Sequence, residues 1–421
     1  MGMAMNTNSG TPSLRILICG GGIAGQALAY WLGEGGHRVT VVERFPALRA
    51  TGAQVDLRGQ GIDAIASMGL LEAVRTELVD EPGVAFVNSR GTPRATIMAN
   101  TSGQGRQTLT SEYEIMRGDL VRILHDLAKD DAEYVFGIGV DRVEQDDEKV
   151  TAHFSDGTTG EYDVLIGADG QGSRVRRAVL PDGAAEPYRQ VGIHMAYWFI
   201  PRIASDRNIR DTYMVPGGRQ IMRRSHNPEQ TQVYFVLREE SAEASAIHRS
   251  PIEDQQRFWA DRFRDAGWQV DRFIDGMRDA PFFYSQEVVQ VRTGTWSKGR
   301  VVLAGDAAHC ASPYSGMGVS AGLVGAYVLA GELNRHPDDL ATAFANYDAT
   351  LRPFIDEVQA SVKPALLKLG MPRSRAAIIA FRTATAVATT LRIPELVARF
   401  SREDRGGAWQ LPPNPVATGA R

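Results

Sequence analysis

The chain has 421 residues, of which 43% are hydrophobic and 23% are charged, and its formal net charge is −4. This composition is typical of a globular protein with one or two closely joined domains. Lys and Arg number 46 against 50 for Asp and Glu. Because no basic excess is available to neutralise a phosphate backbone, nucleic acid is not expected as a partner.

The two cysteines, Cys19 and Cys310, lie far apart and lack the spacing of metal ligands. Neither a disulfide framework nor a bound metal is therefore expected. The protein is expected to be cytoplasmic. Residues 1–13 are small and polar, which predicts a disordered start rather than a signal peptide. Residues 376–391 are rich in apolar side chains but too short and too interrupted to span a bilayer, so no membrane span is expected.

The first elements along the chain predict a strand, a helix and a second strand. Residues 14–19 are an apolar run that ends in glycines, and apolar residues at helical spacing begin at Ile23. Gly35-Gly36 then stops the helix, and the β-branched run 38–43 predicts the second strand. A βαβ unit with two parallel strands follows from this order.

The middle of the chain changes character twice. A helix begins at residue 117, Asp156-Gly157 predicts a hairpin turn, and 162–167 predicts a buried strand. Short alternating strands and a polar helix follow, over 192–200, 213–222, 232–237 and 252–263. They indicate an antiparallel sheet with one face against a site. Residues 301–306 return to the buried-strand pattern and precede a helix over 318–333.

These elements predict an α/β fold, in which an inserted antiparallel β-sheet interrupts a Rossmann-like dinucleotide-binding domain and helices form the C-terminus. The binding domain is expected to be discontinuous, over 14–80, 105–187 and 290–345. The inserted substrate domain takes 81–104 and 188–289, and a helical segment takes 346–421. The end of this segment, after Gly406, is rich in proline and is expected to be loose.

The glycine loop is the first candidate site. Gly20 allows a tight turn, Gly22 lets the backbone approach a pyrophosphate, and Gly25 lets helix and strand pack closely. Glu43 ends the second strand, where its carboxylate can accept both ribose hydroxyls, which favours FAD or NAD over NADP. The alternative is a glycine turn that packs a helix and binds nothing.

Three motifs in one order carry a resemblance. They are the glycine loop with Glu43-Arg44, the run from Gly167 to Arg176, and Gly305-Asp306 followed by Pro313 and Gly316-Met317-Gly318. The sequence resembles the class A flavoprotein monooxygenases, the aromatic hydroxylases typified by para-hydroxybenzoate hydroxylase. Residues 52–57, Arg117 and Gly322-Leu323-Val324 are most similar to the tetracycline-modifying branch.

The resemblance implies that FAD is the cofactor. Asp306 would accept hydrogen bonds from the ribityl chain, and Pro313 with Gly316-Met317-Gly318 would lie along the flavin ring. Asp169 would serve both FAD binding and the reaction with the nicotinamide cofactor. The remaining cofactor-binding positions that the resemblance implies are Arg44, Asp56, Arg117 and, near the adenine, Val140.

The resemblance also implies the reaction. NADPH or NADH would reduce FAD as a transient reductant, and dioxygen would add at the flavin 4a carbon to give a hydroperoxide. This species would hydroxylate an aromatic or polycyclic small molecule in a dry pocket. The inserted sheet is expected to line that pocket with polar, aromatic and polarizable side chains: His194, Tyr197, Trp198, Arg219, Met222 and Tyr234, together with Tyr213 and Phe235. No general base is assigned, although His194 is a candidate for one. His194 and Arg219 are the candidate catalytic residues, and plain sheet packing or a surface position is the alternative for each.

Other interpretations stay open. The same scaffold could catalyse epoxidation, oxidative decarboxylation or reduction, the first site alone could serve an NAD-dependent dehydrogenase, and the protein could be a non-enzymatic redox sensor. Ser320 stands where the family commonly has Asn, and the shorter serine would make fewer hydrogen bonds to the flavin ring or to the start of the helix. His309 is expected to be a packed histidine rather than a catalyst, and Arg176 a candidate for a structural ion pair.

The C-terminal helices are expected to cover the site or to form a dimer face, in a monomer or homodimer. A stripe of mostly small residues at helical spacing comprises Ala376, Ile379, Ala380, Thr383 and Val387. Core packing is favoured for this stripe over contact with a membrane surface.

Overall fold

The computed structural model describes residues 13–99, 112–225, 227–391, 409–413 and 416. The strands are β1 (Arg15–Cys19), β2 (Arg38–Glu43), β3 (Gln54–Asp56), β4 (Gly83–Val87), β5 (Pro93–Met98), β6 (Glu114–Met116), β7 (Ala132–Phe136), β8 (Val140–Gln145), β9 (Val150–Phe154), β10 (Thr159–Tyr162), β11 (Val164–Gly167), β12 (Tyr188–Pro201), β13 (Arg210–Val215), β14 (Arg219–Arg224), β15 (Gln230–Arg238), β16 (Phe283–Val291), β17 (Ser297–Lys298) and β18 (Val301–Leu303).

The helices are α1 (Ile23–Glu34), α2 (Gln60–Ser67), α3 (Leu71–Thr76), α4 (Arg117–Ala128), α5 (Arg176–Val179), α6 (Ala242–Ala246), α7 (Ile252–Phe263), α8 (Val270–Asp279), α9 (Asp306–His309), α10 (Gly318–Arg335), α11 (Leu340–Ser361), α12 (Pro364–Gly370) and α13 (Arg375–Thr390). Single 3₁₀ turns occur at Ile247–Arg249 and Pro313–Ser315. Within the described residues, none of these helices combines the length and apolar character that crossing a membrane requires.

A six-stranded sheet in the order β17-β18-β11-β1-β2-β7 forms the nucleotide half, and all its pairings except β17–β18 are parallel. β1 lies between β2 and β11, so Ile16 pairs with Val39 on one side and with Val164 on the other. Its apolar side chains are buried because α1 packs on the sheet, and α10 in turn packs on α1. The predicted βαβ unit is confirmed, and the glycine loop lies at the carboxyl end of β1.

The inserted sheet has seven strands in the order β16-β12-β15-β14-β13-β4-β5. Its pairings are antiparallel except that of β13 with β4. The mixed α/β fold class is therefore confirmed. The single strand expected over 213–222 is wrong, since β13 and β14 form a hairpin around Gly217 and Gly218. Both glycines adopt the left-handed region, with φ of +91° and +77°, which a tight turn requires.

The two faces of this sheet meet different partners. Helices α7 and α8 cover one face, where Trp198, Phe235 and Phe263 form a core. The other face carries Tyr197, Tyr234 and Val288 and packs against Ala53, Tyr314 and Met371 from outside the sheet. Because side chains alternate along a strand, adjacent residues such as Tyr197 and Trp198 belong to different cores.

The C-terminal helices differ from expectation in two respects. All five residues of the stripe on α13 are exposed, so the favoured core packing is wrong. The segment expected to be loose is packed where the structure describes it, since the Trp409 ring lies 5.0 Å from that of Phe354 and its indole nitrogen donates to the Thr350 carbonyl at 2.8 Å. The predicted disordered start lies, apart from Ser13, outside the described residues.

Candidate active site

The glycine loop is tight enough that two of its glycines cannot be replaced without a shift of the backbone. A Cβ on Gly25 would lie 1.9 Å from the carbonyl oxygen of Gly20. Gly20 has a φ of +111°, and a Cβ there would lie 2.5 Å from the Ala168 carbonyl oxygen. Gly22 directly precedes α1, so the first N–H groups of that helix open onto the loop and can bind an anion.

The end of β2 brings the next predicted residues to this loop. The Glu43 carboxylate accepts hydrogen bonds from the backbone N–H groups of Gly21, at 2.9 Å, and Phe45, at 3.0 Å. The Cβ of Arg44 lies 3.5 Å from the place where a Cβ on Gly139 would lie. Val140, which follows Gly139, begins β8. Glu43, Arg44 and Val140 thus occupy the same edge of the molecule, although Val140 itself is buried in the core.

Arg117 is held beside the loop by backbone carbonyls. Its Nη1 donates to the carbonyl oxygens of Arg49, at 3.2 Å, and Thr51, at 3.0 Å, while its Nη2 lies 3.5 Å from where a Cβ on Gly22 would lie. It forms no ion pair with the carboxylates that the structure describes. Burial, and then the charge of Arg49, lowers its pKa. Arg117 therefore presents a positive charge toward the backbone that would hold a pyrophosphate.

Asp169 has one oxygen that the protein satisfies and one that it does not. Its Oδ2 accepts from the backbone N–H groups of Arg174, at 2.7 Å, and Val175, at 3.4 Å. Its Oδ1 is buried and has no hydrogen-bond partner among the described residues. Burial raises the pKa of this carboxyl although hydrogen bonds from Ser173 and Arg174 lower it. A buried acceptor without a partner fits a bound polar group such as a hydroxyl of FAD.

Asp306 follows β18 after Gly305, whose φ of +57° turns the chain into α9. Its side chain is open to solvent but lies in the cleft, as we term the space bordered by Asp306, Arg117 and the glycine loop. The surrounding protein raises the pKa of the Asp306 carboxyl, whereas a hydrogen bond with Cys310 and the charge of Arg117 lower it. An acceptor in that position fits the hydroxyls of a ribityl chain.

The next segment keeps the backbone close to the cleft. Gly316 is left-handed with a φ of +63°, and a Cβ there would lie 3.4 Å from Asp56 Oδ2. Asp56 is itself paired with Arg58, whose Nη2 lies 2.9 Å from Oδ2. Pro313 opens the 3₁₀ turn, and Met317 directly precedes α10, which begins at Gly318.

Ser320 has a structural explanation. Its hydroxyl accepts from the backbone N–H of Arg58 at 2.9 Å, and it is fully buried against Gly61, where a Cβ would lie 2.4 Å from the Ser320 Oγ. The short serine side chain therefore joins the start of α2 to α10.

An aromatic cluster on the inserted sheet faces this cleft. The Tyr197 ring lies 5.4 Å from Tyr234, 5.7 Å from Phe282 and 5.3 Å from Tyr284 between centroids. Met222 packs on the same face. Burial raises the pKa of Tyr284, and among the smaller effects the charge of Asp306 raises it and that of Arg117 lowers it. The cluster thus lies next to the two charged residues of the proposed FAD site.

A buried ion-pair cluster lies beside Tyr234 on the same face of the sheet. Arg224 donates from Nε and Nη2 to Glu81, at 2.7 and 2.6 Å, and also contacts Glu114. Burial raises the pKa of the Tyr234 hydroxyl to about 12, whereas the charge of Arg224 lowers it. Burial likewise raises the pKa of Glu114 to about 7.

The structure does not bring the other predicted pocket residues to this face. His194, Trp198 and Arg219 lie on the helix-covered face, and so do Tyr213 and Phe235. Trp198 donates to the Phe273 carbonyl at 3.1 Å, and Arg219 pairs with Asp265. The expectation that all these side chains line one pocket is therefore wrong, and His194 and Arg219 are not catalytic candidates. The physical reason is the alternation of side chains, which sequence reasoning did not follow strand by strand.

Two further expectations concern buried residues. His309 is buried with its ring 5.1 Å from that of Trp296, and burial lowers its pKa to about 3, so it packs as expected. Arg176 is fully buried, pairs with Glu186 at 2.5 Å and donates to the Ala307 carbonyl at 3.0 Å, so it is the structural ion pair that was suggested.

Sequence reasoning missed Arg49, Phe282 and Tyr284. The Arg49 guanidinium lies 4.6 Å from the Phe45 ring and 5.8 Å from that of Tyr284. Phe282, Tyr284 and Gln286 alternate along the chain. That period of two could have identified the face of β16 that turns to the cleft.

Comparisons with known proteins identify the family. The model of the FAD binding domain family matches residues 13–339. The chain is 36% identical to the FAD-dependent monooxygenase asL4 of Sarocladium schorii, over 96% of this chain and 99% of that protein. It is 38% identical to the flavin-dependent monooxygenase eupH of a Phoma species, over 88% and 91%.

Solved structures show the same architecture. The tetracycline destructase Tet(51) superposes with a TM-score of 0.76 at 30% identity, over 95% of this chain and 98% of that one. Klebsiella pneumoniae HpxO, solved with FAD and uric acid, shares the fold with a TM-score of 0.69 at 21% identity, over 91% and 96%. With this family model and these relatives, the chain belongs to the FAD-binding class A flavoprotein monooxygenases and is an oxidoreductase that uses FAD.

Proposed function

We propose that the protein hydroxylates an aromatic or polycyclic small molecule, using NADH or NADPH as electron donor and dioxygen as oxidant, by the flavin hydroperoxide route that the resemblance implies. The observation that carries this proposal is the aromatic cluster of Tyr197, Tyr234, Phe282 and Tyr284, which faces the cleft beside Asp306 and Arg117. Aromatic surface with few polar groups is the usual lining of a pocket for a planar ligand.

The residues that would hold FAD have separate tasks. Gly20, Gly22 and Gly25 form the backbone turn for the pyrophosphate, Arg117 adds a positive charge, and Glu43 reaches the ribose. Asp169 and Asp306 supply acceptor oxygens. Arg44, Asp56 and Val140, together with the segment of Pro313, Gly316, Met317 and Gly318, complete the proposed site. When bound, FAD supplies the electron transfer and the activation of oxygen, and the chain provides position and shielding.

The aromatic side chains would position the substrate and exclude water. Tyr197 and Tyr234 are almost fully buried, so a ring that displaces the remaining water would lie against apolar surface. Met222 adds a polarizable side chain that adapts to ring shape. Tyr234 lies beside the charge of Arg224, and its O–H can donate to an oxygen of the substrate. The similarity to the tetracycline destructase Tet(51) supports a polycyclic substrate.

A screen of aromatic compounds tests the proposal. Purified protein should be yellow, and some compounds should accelerate oxidation of NADH or NADPH and gain one oxygen atom by mass spectrometry. If peroxide alone forms with every compound, the hydroxylase proposal fails and the other reactions on this scaffold take its place. A redox sensor would show no stimulation of NAD(P)H oxidation at all.

A variant tests the cofactor site separately. Asp306→Ala should lose most of its FAD during purification, because it removes the carboxylate after β18 that would accept hydrogen bonds from the ribityl hydroxyls. Asp275→Ala, an exposed carboxylate on α8, is the control and should keep its FAD. Full flavin retention in Asp306→Ala removes this residue from the site.

We further propose a cytoplasmic location. Both cysteines are free and buried, as reducing conditions allow. Whether the chain is a monomer or a homodimer stays a prediction that sedimentation can test.

A further inference from the structure

Helix α13 is apolar on both of its sides. Its buried side carries Ile378 and Phe381, which pack with Phe86 and Met214 of the inserted sheet; the Phe381 and Phe86 rings lie 5.8 Å apart. Its opposite side exposes Ile379 to 64% and Val387 to 53%. A surface helix ordinarily turns charged or polar residues to solvent once its apolar side is covered.

The exposed side of α13 also lacks charge. Within 376–391 the single charged residue is Arg382, which lies on the covered side, where it donates to the Met214 carbonyl and lies over the Tyr213 ring. The preceding helix, α12, exposes Leu366 and Leu369. These four leucine, isoleucine and valine side chains and Leu391 make up five of the eight large hydrophobic side chains that are exposed in the described chain. They define what we term the C-terminal apolar face.

The charges around this face are all positive in sequence. Between residues 358 and 391 the chain has five basic residues and no acidic residue, although the whole chain carries −4. Lys363, Arg373 and Arg375 are exposed and form no ion pair with the carboxylates that the structure describes. The apolar face is therefore flanked by unpaired cations.

We propose that the C-terminal apolar face binds the surface of an anionic lipid bilayer, with α12 and α13 lying against the interface. Exposed apolar side chains flanked by Lys and Arg are the combination that inserts into the headgroup region of such a membrane. Because no described helix can cross a bilayer, the attachment would be peripheral and reversible.

A second copy of the chain fits this face less well. A two-fold dimer would place the same patch on both partners, so Lys363, Arg373 and Arg375 of one copy would face a surface that carries the same cations and no acidic residue of 358–391. Like charges brought close together oppose dimerisation. The negatively charged headgroups of an anionic bilayer, such as those of phosphatidylserine, attract the same cations.

The face also lies next to the proposed pocket, since Leu367 of α12 and Met371, between α12 and α13, pack in the cluster of Tyr197 and Tyr234. An apolar substrate dissolved in a membrane would reach the protein at this side. Membrane binding itself does not depend on the proposed function and is tested without substrate.

Vesicle flotation of the FAD-bound protein tests the proposal. Vesicles of phosphatidylcholine mixed with phosphatidylserine should carry the protein, and high salt should weaken the binding. The protein should bind vesicles of pure phosphatidylcholine about tenfold more weakly. Ile379→Glu with Val387→Glu should reduce binding about tenfold, and so should Arg373→Ala with Arg375→Ala.

A matched variant elsewhere controls for folding and for net charge. Ile252→Glu combined with Arg257→Ala lowers the net charge by two, as each test variant does, but acts on α7, where Ile252 is as exposed as Val387, at 53%. This control should bind vesicles like the unchanged protein, and all variants should keep FAD and thermal stability. Absence of binding to anionic vesicles overturns the proposal, as does dimerisation that Ile379→Glu abolishes, which would assign the face to a second copy.

Discussion

The nucleotide cleft and the inserted sheet form the candidate site by different means. In the cleft, the backbone makes the site, because Gly20 and Gly25 leave no room for a side chain. In the sheet, side chains make the site, and whether one contributes depends on its face: Tyr197 turns to the cleft, whereas Trp198 lies in a separate core under α8. A change in the cleft should therefore act on FAD binding and folding together, whereas a change in the sheet should act on either substrate or stability.

The largest effect is expected in the glycine loop. Gly25→Ala places a Cβ 1.9 Å from the Gly20 carbonyl oxygen, a contact that only a shift of the loop backbone can relieve. We expect a loss of about 4 kcal/mol or more in the free energy of unfolding and a protein that purifies without FAD. Gly294→Ala is the control, because no atom lies within 4 Å of its added Cβ; it should change stability by less than about 0.5 kcal/mol. A yellow, fully stable Gly25→Ala protein would contradict this account.

The next effect should separate stability from catalysis in the sheet. Trp198→Ala removes a fully buried indole that packs 4.8 Å from the Phe235 ring. The cavity and the lost contacts should cost about 3–5 kcal/mol in urea unfolding. Below the unfolding transition, FAD content and the KM for substrate should stay unchanged, since the side chain faces away from the cleft. A raised KM with unchanged stability would return Trp198 to the pocket.

The sequence predicted the cleft better than the sheet for a physical reason. The requirements for Gly20, Glu43 and Asp306 are local, since each depends on a strand end and the turn that follows it. Such turns tolerate few residue types, so their motifs can be read without knowing the rest of the fold.

Which face of the sheet a residue occupies depends on contacts distant in sequence. The Gly217-Gly218 turn divides the expected strand 213–222 in two, and α7 and α8 cover one side of the result. Residue type alone therefore assigned His194 and Arg219 to the pocket. Burial of the Trp409 segment was likewise unpredictable, because its partners on α2, α10 and α11 precede it by many residues.

The helix-covered face also predicts a pH dependence of stability. His194 Nε2 donates to the Glu239 carbonyl, and its Nδ1 lies 2.9 Å from His248 Nε2. His248 Nδ1 lies 2.7 Å from the Ser285 hydroxyl. Two protonated rings would place two donors between them, so at least one ring must be neutral. Burial, followed by the neighbouring ring of His194, lowers the pKa of His248 from 6.5 to about 3.

The sign of the effect follows from this lowered pKa. Below pH 6.5 the unfolded chain takes up a proton at His248 that the folded chain does not, so stability is complete above pH 6.5 and declines as pH falls toward 3. The half-buried carboxylates Glu239 and Glu287 face His194, whose pKa burial lowers and their charges raise. Of the stability lost between pH 6.5 and 5 in urea unfolding, we expect His248 to account for about 1–2 kcal/mol. His248→Gln should remove this part of the slope, whereas His336→Gln, after α10, should retain it.

The smallest effect compares two tyrosines on opposite faces of the sheet. Tyr234 faces the cleft; burial raises the pKa of its hydroxyl, and the charge of Arg224, which pairs with Glu81 and Glu114, lowers it. Tyr213 faces the helices and donates to the Ala266 carbonyl at 3.0 Å. Each Phe variant removes one hydroxyl and keeps the ring, so the two differ only in what that hydroxyl contacts.

Tyr234→Phe should raise the KM for the hydroxylated substrate about fivefold, because one hydrogen bond contributes about 1 kcal/mol to binding. Its stability should change little, since Arg224 keeps both carboxylates. Tyr213→Phe should lose about 1 kcal/mol of stability and leave KM unchanged. If the two variants exchange these results, the cleft lies on the other face of the sheet; if both change KM equally, the effect passes through the sheet itself, and face does not decide function.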